Sequence, residues 1–511
     1  MDLASGGIVI LDCYTDEPSG YGVRPYLGTH QIHLSQALAY RGLAHIYLTI
    51  DDLRYASDNT TSAGLETDIR TLNRTKNCEN ALDILKAASH IFVIMGCFVQ
   101  YKYFSAAPPT ANEVFHFLHG LRAEITLFYV LGIPTQENLD FERSDLHSIV
   151  HRVEYGNTYR LILDGKPELI AGEPAYDLLD EISDVVPPIL SQLRLPILAE
   201  IETGSGCDIQ SCTFCIECAR PLPPTFRSPS SVVKQIQSLY EGGVRHFRLG
   251  RQPNFYYYAY QDCNKMERML SGIRECCPQI ETLHIDNVNP LSVLSEEGHQ
   301  ITRLIIKYCT SGNVAPFGVE SFDLAVRKAI NKPGSPDQIV EAARIINEHG
   351  SIRGKDGFPR FLPGLNLIYG LPGQTPDSHK FNLEYLHAMY SEGLQTRRLF
   401  FRRLTSPYGI SFGSRVDNSV QYEDWKQEII DSFILPMQER VYPTGIVLKH
   451  FREVVYVGGR NLLRTLGSCS IKVAIDGPPL EPYGKYDVRI IRSLDSGLLE
   501  GELVSDAASE E

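Results

Sequence analysis

Glu200-Ile201-Glu202-Thr203-Gly204-Ser205-Gly206-Cys207-Asp208-Ile209-Gln210-Ser211-Cys212-Thr213-Phe214-Cys215-Ile216-Glu217-Cys218 holds four of the chain's twelve cysteines. Cys207, Cys212 and Cys215 are separated by four and then two residues, so one loop can bend three thiolates toward a single inorganic centre. Soft thiolates select zinc, cuprous copper or iron–sulfur clusters. A structural zinc site normally takes four ligands in two separated pairs. Here one loop follows the apolar run from Pro196 to Ile201, Gly204 and Gly206 loosen the backbone before it, and no second Cys-x-x-Cys or His pair follows. Cys212, Cys215 and Cys218 are also evenly spaced, which leaves a second triad open. Buried or zinc-binding cysteines are the competing reading. Three thiolates on a cube of four irons would leave one iron free to bind a small molecule.

At 511 residues, the length fits two or three domains, and 43% hydrophobic with 22% charged residues fits a folded soluble protein. A formal net charge of -14 disfavours a broad electrostatic grip on nucleic acid. No early stretch has the regions of a signal peptide, and no apolar run approaches the ~20 residues that span a bilayer. The expected location is therefore the cytoplasm, with no membrane partner. Cys13, Cys78, Cys97, Cys263, Cys276, Cys277, Cys309 and Cys469 are scattered, as free thiols of a reducing compartment are.

Outward from the cysteine loop, the pattern is strand, loop, helix. Over 196–410 the expected strands are Pro196–Glu202, Val244–Gly250, Glu281–Asp286, Ala315–Val319, Gly364–Tyr369 and Arg398–Leu404. Ser228-Pro229, Ser335-Pro336 and Thr375-Pro376 read as helix starts. Six such units predict a partial (β/α)6 barrel whose strands share one carboxyl rim. Residues 1–150 predict an α/β layer of Rossmann-like type, with strands at Gly7–Cys13, Ala44–Ile50, His90–Gly96 and Ile125–Leu131. Its ligand loops would be Asp16–Gly22, Thr49–Arg54 and Gly96–Tyr103, and the lack of Gly-x-Gly-x-x-Gly disfavours a dinucleotide. Residues 151–195 read as a connector, with a small hairpin of Leu161–Leu163 and Pro167–Ile170 around Gly165 and a helical segment over Tyr176–Leu193 interrupted by Pro187-Pro188. Residues 411–504 read as a helical run, Trp425–Tyr442, followed by a small β-rich domain, and 505–511 as a disordered tail.

The cysteine loop, with Phe214 just before its last cysteine, resembles that of the radical S-adenosylmethionine (SAM) superfamily. The first gap is four residues where that family usually has three. The resemblance implies a [4Fe-4S] cluster on Cys207, Cys212 and Cys215, with SAM chelating the open iron. It also implies SAM contacts at successive strand ends. Carbonyls of Gly250 and Arg251 would take the SAM ammonium, and Arg251 or Gln252 its carboxylate. Asn287 follows the third strand, and Glu320 and Ser321 would meet the ribose. Asn366 and Tyr369 lead into Gly370-Leu371-Pro372-Gly373-Gln374, similar to the adenine motif with Gln374 in place of its acid.

An α/β domain before such a barrel is similar to the cobalamin-binding domain of cobalamin-dependent radical SAM enzymes, although the cobalt-ligating Asp-x-His-x-x-Gly is absent. That likeness puts cobalamin against Asp16, Glu17, Gly20, Tyr21, Gly22, Thr29, His30 and Gly96. Tyr256, Tyr257 and Tyr258 would wall the substrate cavity, while packing alone would explain at least two of the run Tyr256, Tyr257, Tyr258 and Tyr260. Arg397, Arg398, Arg402 and Arg403 would either hold a phosphate or carboxylate or form a solvated rim.

The segments Asp16–Gly22, Thr49–Arg54, Phe247–Pro253 and His284–Pro290 resemble an archaeal branch of these enzymes, over nearly all of 7–500. The branch implies C-methylation at an sp3 carbon with an electron donor. Its methanogen member that methylates a glutamine of methyl-coenzyme M reductase implies a protein or peptide substrate. The alternatives are a methylthiotransferase acting on tRNA, with Cys13, Cys78 and Cys97 as a second cluster set, and a nucleic-acid-binding protein with a structural metal cluster.

Overall fold

The computed structural model describes residues 7–16, 22–57, 66–97, 103–129, 144–164, 174–194, 196–219, 222–404 and 419–504. Strand β1 (Gly7–Asp16) is followed by a two-residue strand, β2 (Tyr26–Leu27), and by helix α1 (Thr29–Tyr40). Then come β3 (His45–Thr49), β4 (Ala88–Cys97), β5 (Glu124–Tyr129) and β6 (Arg152–Tyr155). β1, β3, β4, β5 and β6 form one parallel sheet in the order β3-β1-β4-β5-β6. β1 and β4 are buried along nearly their whole length, as strands of a parallel sheet covered on both faces are. The sheet runs past residue 150, since β6 falls where a connector is expected. Leu161–Leu163 also departs from expectation. It belongs to a helix, Thr158–Leu163, not a hairpin arm, because Tyr159 and Leu163 pack on Ala37 of α1 with Leu179 and Ile182. The other arm, Pro167–Ile170, lies outside the described residues.

α1 is buried from Thr29 to Leu38, polar residues included, and packs on β7 (Leu198–Glu202) as well as on the helix Thr158–Leu163. β2 extends the second sheet by pairing with β7. After β7 come two short strands, β8 (Gly204–Ser205) and β9 (Thr225–Phe226). The barrel continues with β10 (His246–Gly250), β11 (Thr282–Ile285), β12 (Asn313–Glu320), β13 (Phe361–Tyr369) and β14 (Arg398–Arg403). The strands pair as β11-β10-β7-β2 and β12-β13-β14, and a parallel bridge between Val288 and Phe317 joins the two sheets into a partial six-stranded barrel.

The barrel strands alternate. Ala199, Ile201, Phe247, Leu249, Leu283, Ile285, Leu365, Leu367, Leu399 and Phe401 join the main core beneath the helices. Each fully buried Leu or Phe of this kind contributes about 1.5–3 kcal/mol. The intervening residues are polar and face inward, among them Glu200, Glu202, His246, Arg248, Thr282, His284 and Arg398. The barrel helices begin where their caps predict. Ser228 accepts from the Ser231 N–H, and Ser335 and Thr375 each head a capping box with a proline in the first turn.

Helix Ser419–Ile429 runs through a π turn into Leu435–Val441. The chain then forms β15 (Val447–Val457), β16 (Arg460–Thr465), β17 (Lys472–Asp476), β18 (Tyr486–Asp495) and β19 (Leu498–Leu503). These close into a barrel in the order β15-β16-β17-β19-β18, with β17 and β19 parallel and the other pairs antiparallel. This is the connectivity of a five-stranded oligonucleotide/oligosaccharide-binding (OB) barrel. Its turn at 466–468 plugs the amino-terminal mouth of the larger barrel. The Thr282 hydroxyl donates to the Leu466 carbonyl (2.8 Å), and the Ser468 N–H to His284 Nδ1 (2.9 Å). Among the described residues, no helix is long and apolar enough to cross a membrane.

Candidate active site

The cysteine loop leaves β7 at the barrel's carboxyl rim. Thr203 donates both its N–H and its hydroxyl to the Gly250 carbonyl, which ties the end of β7 to that of β10. Gly204 then passes so close to β9 that a Cβ there would lie 2.8 Å from the Thr225 carbonyl oxygen. Gly206, at φ +83°, is left-handed, and a Cβ would lie 2.4 Å from the Pro223 oxygen.

The long first gap is used to anchor the loop. Asp208 accepts from Asn254 Nδ2 (2.9 Å) and Asn289 Nδ2 (3.5 Å). Gln210, left-handed at φ +48°, donates to the Leu222 carbonyl (2.7 Å). Ser211 donates to Asn331 O and the Thr213 N–H to Ile330 O, both at 3.1 Å. Phe214 packs on Val326, Ile330, Ile368 and Leu371. The loop is thus held from β9, from the β10 and β11 ends and from the turn after β12. Asp208, Asn254 and Asn289 carry that role without a local signal in the sequence.

Burial pushes the thiols up, Cys212 to about 11 and Cys215 to about 12, with Lys332 opposing it at Cys212. Cys207 and Cys218 are raised as well, again by burial first, and the four sulfurs act on one another electrostatically. Among the described residues no three acid, thiol or imidazole groups converge on a single-ion site. Cys207, Cys212 and Cys215 are spread over a glycine-lined loop, and such a donor set suits a cube gripped at separate irons. Thiolates in so apolar a place require the positive charge of bound metal to form. Cys218 stands on the following short helix, Ile216–Ala219, in the same electrostatic neighbourhood. Cys13, Cys78 and Cys97 do not gather. Their respective neighbours are Arg54 and Glu113, Arg194, and Tyr103.

The expected SAM-binding residues divide. The Gly250 carbonyl is not exposed, since Thr203 fills it; Gly250 instead leaves room for a charged group, because a Cβ would lie 2.2 Å from Glu200 Oε1. Glu200, Arg248 and Asp286 form a buried ion-paired set on the inner face. Burial raises both carboxyls, Glu200 to about 8, and the guanidinium between them offsets this only in part. Charged residues at inward positions of barrel strands were the sequence signal for this set.

Arg251, left-handed at φ +65°, is not a free carboxylate clamp. It lies 3.8 Å from Glu202 and 3.3 Å from His30 Nε2. Gln252 fits a ligand better: its Nε2 donates to the Thr203 hydroxyl (2.7 Å), while its buried Oε1 has no partner and lies beside Gly204. The Asn287 carbonyl accepts from the Phe255 N–H, and its side chain is half-buried at the rim. Glu320, left-handed at φ +64°, pairs with Lys332 at 3.4 Å. The Ser321 hydroxyl is engaged by Asn382 and by the Asp323 N–H, so it is not poised for a ribose. Asn366 is half-buried on the inner face. Tyr369 is buried among Phe401, Tyr422 and Trp425, and its hydroxyl bonds Gln421. Gln374 braces its own turn through the Gly370 N–H and the Ile368 carbonyl.

On the amino-terminal side, Asp16 accepts from the Tyr103 hydroxyl, and Arg402 and Arg248 of the barrel act on it electrostatically. Gly22 donates its N–H to the Thr15 carbonyl, and a Cβ there would overlap the Thr15 hydroxyl. Gly96 pairs with Thr15 at φ +152°. Thr29 and His30 are buried in the first turn of α1, and His30 faces Arg251, not an open cobalt face. Glu17, Gly20 and Tyr21 lie outside the described residues. The tyrosine run also corrects its expectation. Tyr256 and Tyr258 are fully buried core residues, with hydroxyls on Thr302 and on the Arg227 carbonyl (2.8 Å each). Only Tyr257 is half-exposed, and it packs edge-on to Phe226 and Tyr260.

The family model of the Radical SAM superfamily matches residues 201–385, the span from the cysteine loop to the helix after β13. The chain belongs to the radical SAM superfamily. A radical SAM domain carries a [4Fe-4S] cluster and uses SAM. Two archaeal proteins without an assigned function are similar over nearly the full length. One, from Archaeoglobus fulgidus, is 30% identical over 94% of this chain and 87% of its own. The other, from Methanocaldococcus jannaschii, is 29% identical over 95% and 91%. Among solved structures, the radical SAM methyltransferase TsrM from Kitasatospora setae, with cobalamin and a [4Fe-4S] cluster bound, shares the fold. Its TM-score is 0.51 at 15% identity, over 78% of this chain and 72% of that one.

Proposed function

We propose that this radical SAM protein is a cobalamin-dependent C-methyltransferase acting on an sp3 carbon. One observation carries the reading. The carboxyl edge of the amino-terminal sheet faces the barrel, with Asp16 and Tyr103 toward Arg248 and Arg402, and His30 on Arg251. Ligands of parallel sheets sit beyond that edge, so a cofactor there would meet the barrel directly. A Cβ at Gly22 would overlap Thr15, and Gly96 has a positive φ, so this edge is built around two glycines. The TsrM likeness, in which cobalamin is bound beside a [4Fe-4S] cluster, supports the same pairing.

When bound, the reduced cluster supplies the electron that cleaves SAM, and cobalamin supplies a transferable methyl group. The chain's own part is placement. Cys207, Cys212 and Cys215 hold the cluster, with Asp208 and Ser211 fixing their loop. Gln252 Oε1 offers an acceptor for an ammonium. Glu200, Arg248 and Asp286 fill the space beneath Gly250 and exclude water from it. Asp16, Gly22 and Gly96, with Glu17, Gly20 and Tyr21 of the same loop, are the proposed cobalamin contacts.

The substrate reading, a glutamine of methyl-coenzyme M reductase, rests on the resemblance of the four archaeal segments, and the electron donor is proposed with it. Anaerobic protein prepared with cobalamin and incubated with SAM, dithionite and a peptide around that glutamine tests both levels. Deoxyadenosine together with a methylated peptide supports the proposal. Deoxyadenosine without any methylated product removes the substrate, and a preparation that retains no cobalamin removes the methyltransferase.

A further inference from the structure

Between the OB barrel, the edge of β14 and the loop after β4 lies a cavity of about 790 Å³, within the range of small-molecule sites. Its walls come from five parts of the chain: Thr67 and Ile69, Tyr103 and Phe104, Thr396 to Phe400, the helical run at Phe433 to Gln438, and β15–β17 with Ser496 and Gly497. Thr396 and Arg397, which lead into β14, and its first three residues line it, so it runs along the start of that strand, which is the last in its sheet. On the OB side the lining residues Val455, Leu462, Arg464 and Lys472 alternate with Val454, Leu463 and Val473, which fill the small barrel's interior. They therefore belong to its outer face on the first three strands, bordered by the turn between the fourth and fifth. OB barrels take ligands on that face. Here it is turned inward, toward the radical SAM barrel.

The charge of the lining is one-sided. Arg397, Arg398, Arg464 and Lys472 contribute, and no described lining residue is acidic. Arg464 is committed to Glu453 and lies over Phe104. No described carboxylate forms a close ion pair with Arg398 or Lys472; Arg398 acts on Asp286 at longer range, and its Nε is buried without a hydrogen bond. Arg397, 7% exposed, has Nε and Nη1 unpartnered, and the neighbouring Thr396 hydroxyl is likewise buried and unpartnered. The Arg398 guanidinium lies over the Phe400 ring at 4.0 Å and that of Arg402 at 4.6 Å, so cations and an aromatic ring stand together at this wall. Arg397 also lies over the Phe358 and Tyr442 rings, but buried guanidinium donors without a hydrogen-bond partner remain costly unless an acceptor joins them.

We infer that this cavity is a binding site for a small molecule with at least two anionic groups, carboxylate or phosphate, on an apolar or aromatic body. Arg398 and Lys472 hold the anions, and Phe400 and Phe104 hold the body. The inference does not depend on cobalamin or on methyl transfer.

The test uses the full-length, cluster-reconstituted protein without SAM or cobalamin, titrated with anilinonaphthalene sulfonate, an anionic aromatic dye. One saturable site is expected, weakened about tenfold or more by Arg398→Gln and by Lys472→Gln, and restored by Arg398→Lys. Thermal unfolding of each variant guards against loss of fold. Displacement by pyrophosphate supports a phosphate ligand, and displacement by citrate a carboxylate one. The inference is overturned if neither displaces the dye, if uncharged anilinonaphthalene binds as tightly, or if the correctly folded charge-removed variants bind like the parent. Because no turnover is measured, failure here leaves the methyltransferase reading to its own experiment.

Discussion

Gly250 shows how a residue's meaning depends on what approaches it. In sequence it stands where a SAM-binding carbonyl is expected, yet its oxygen serves Thr203 and its missing Cβ makes room for Glu200. Gly250→Ala should displace the Glu200–Arg248–Asp286 set and cost about 1–3 kcal/mol in urea unfolding; an unchanged midpoint would mean that the close approach is not structural. The cysteine triad was legible because thiol spacing is local and chemically specific. Asp208, Asn254 and Asn289 were not, because their bonds join residues up to 81 apart. Tyr256 and Tyr258 were misread for a related reason. An aromatic run has the same sequence whether it lines a cavity or fills a core, and only their contacts with Thr302 and Arg227 decide.

Elements were legible wherever their determinants lie within a few residues. The capping box of Ser335 and Gln338 with Pro336 marks its helix start in sequence and in structure. Ser335→Ala should remove about 1 kcal/mol of stability, read as a lowered melting temperature, with deoxyadenosine formation unchanged. The barrel strands were legible from their apolar outer residues. The helix Thr158–Leu163 was not, because two turns or fewer carry no periodicity and its packing on Ala37 comes from a distant segment.

For the whole molecule, the order of the domains could be read but their closure could not. The parallel pairing of β17 with β19 and the two-residue pairing of β2 with β7 join segments with no local mark. The same holds for the plug at 466–468, which rests on a neutral His284. Burial pulls this imidazole from the usual 6.5 down to about 3, while its Nδ1 accepts from Ser468 and its Nε2 contacts the Ser311 carbonyl. Below the unfolded value the unfolded chain binds a proton that the native chain refuses. This contribution to stability is therefore complete above 6.5 and lost as pH falls toward about 3. Near pH ~5 the loss is about 2 kcal/mol. Buried carboxyls such as Asp51, raised to about 7, act in the opposite sense, so the comparison is with His284→Gln. Unfolding free energies from urea titrations between pH ~6.5 and ~5 should fall less steeply in that variant, by about 1.1 kcal/mol per unit; equal slopes would mean that His284 titrates normally.

The claim beneath all of this is a [4Fe-4S] cluster held by Cys207, Cys212 and Cys215, with one iron left for SAM. The most direct measurement is deoxyadenosine release by the anaerobic, dithionite-reduced protein, alongside its iron content, for four single Cys→Ser variants. Loss of both in the 207, 212 and 215 variants, with both retained in Cys218→Ser, is the predicted result. Retention of cluster and product in any of those three would contradict the account.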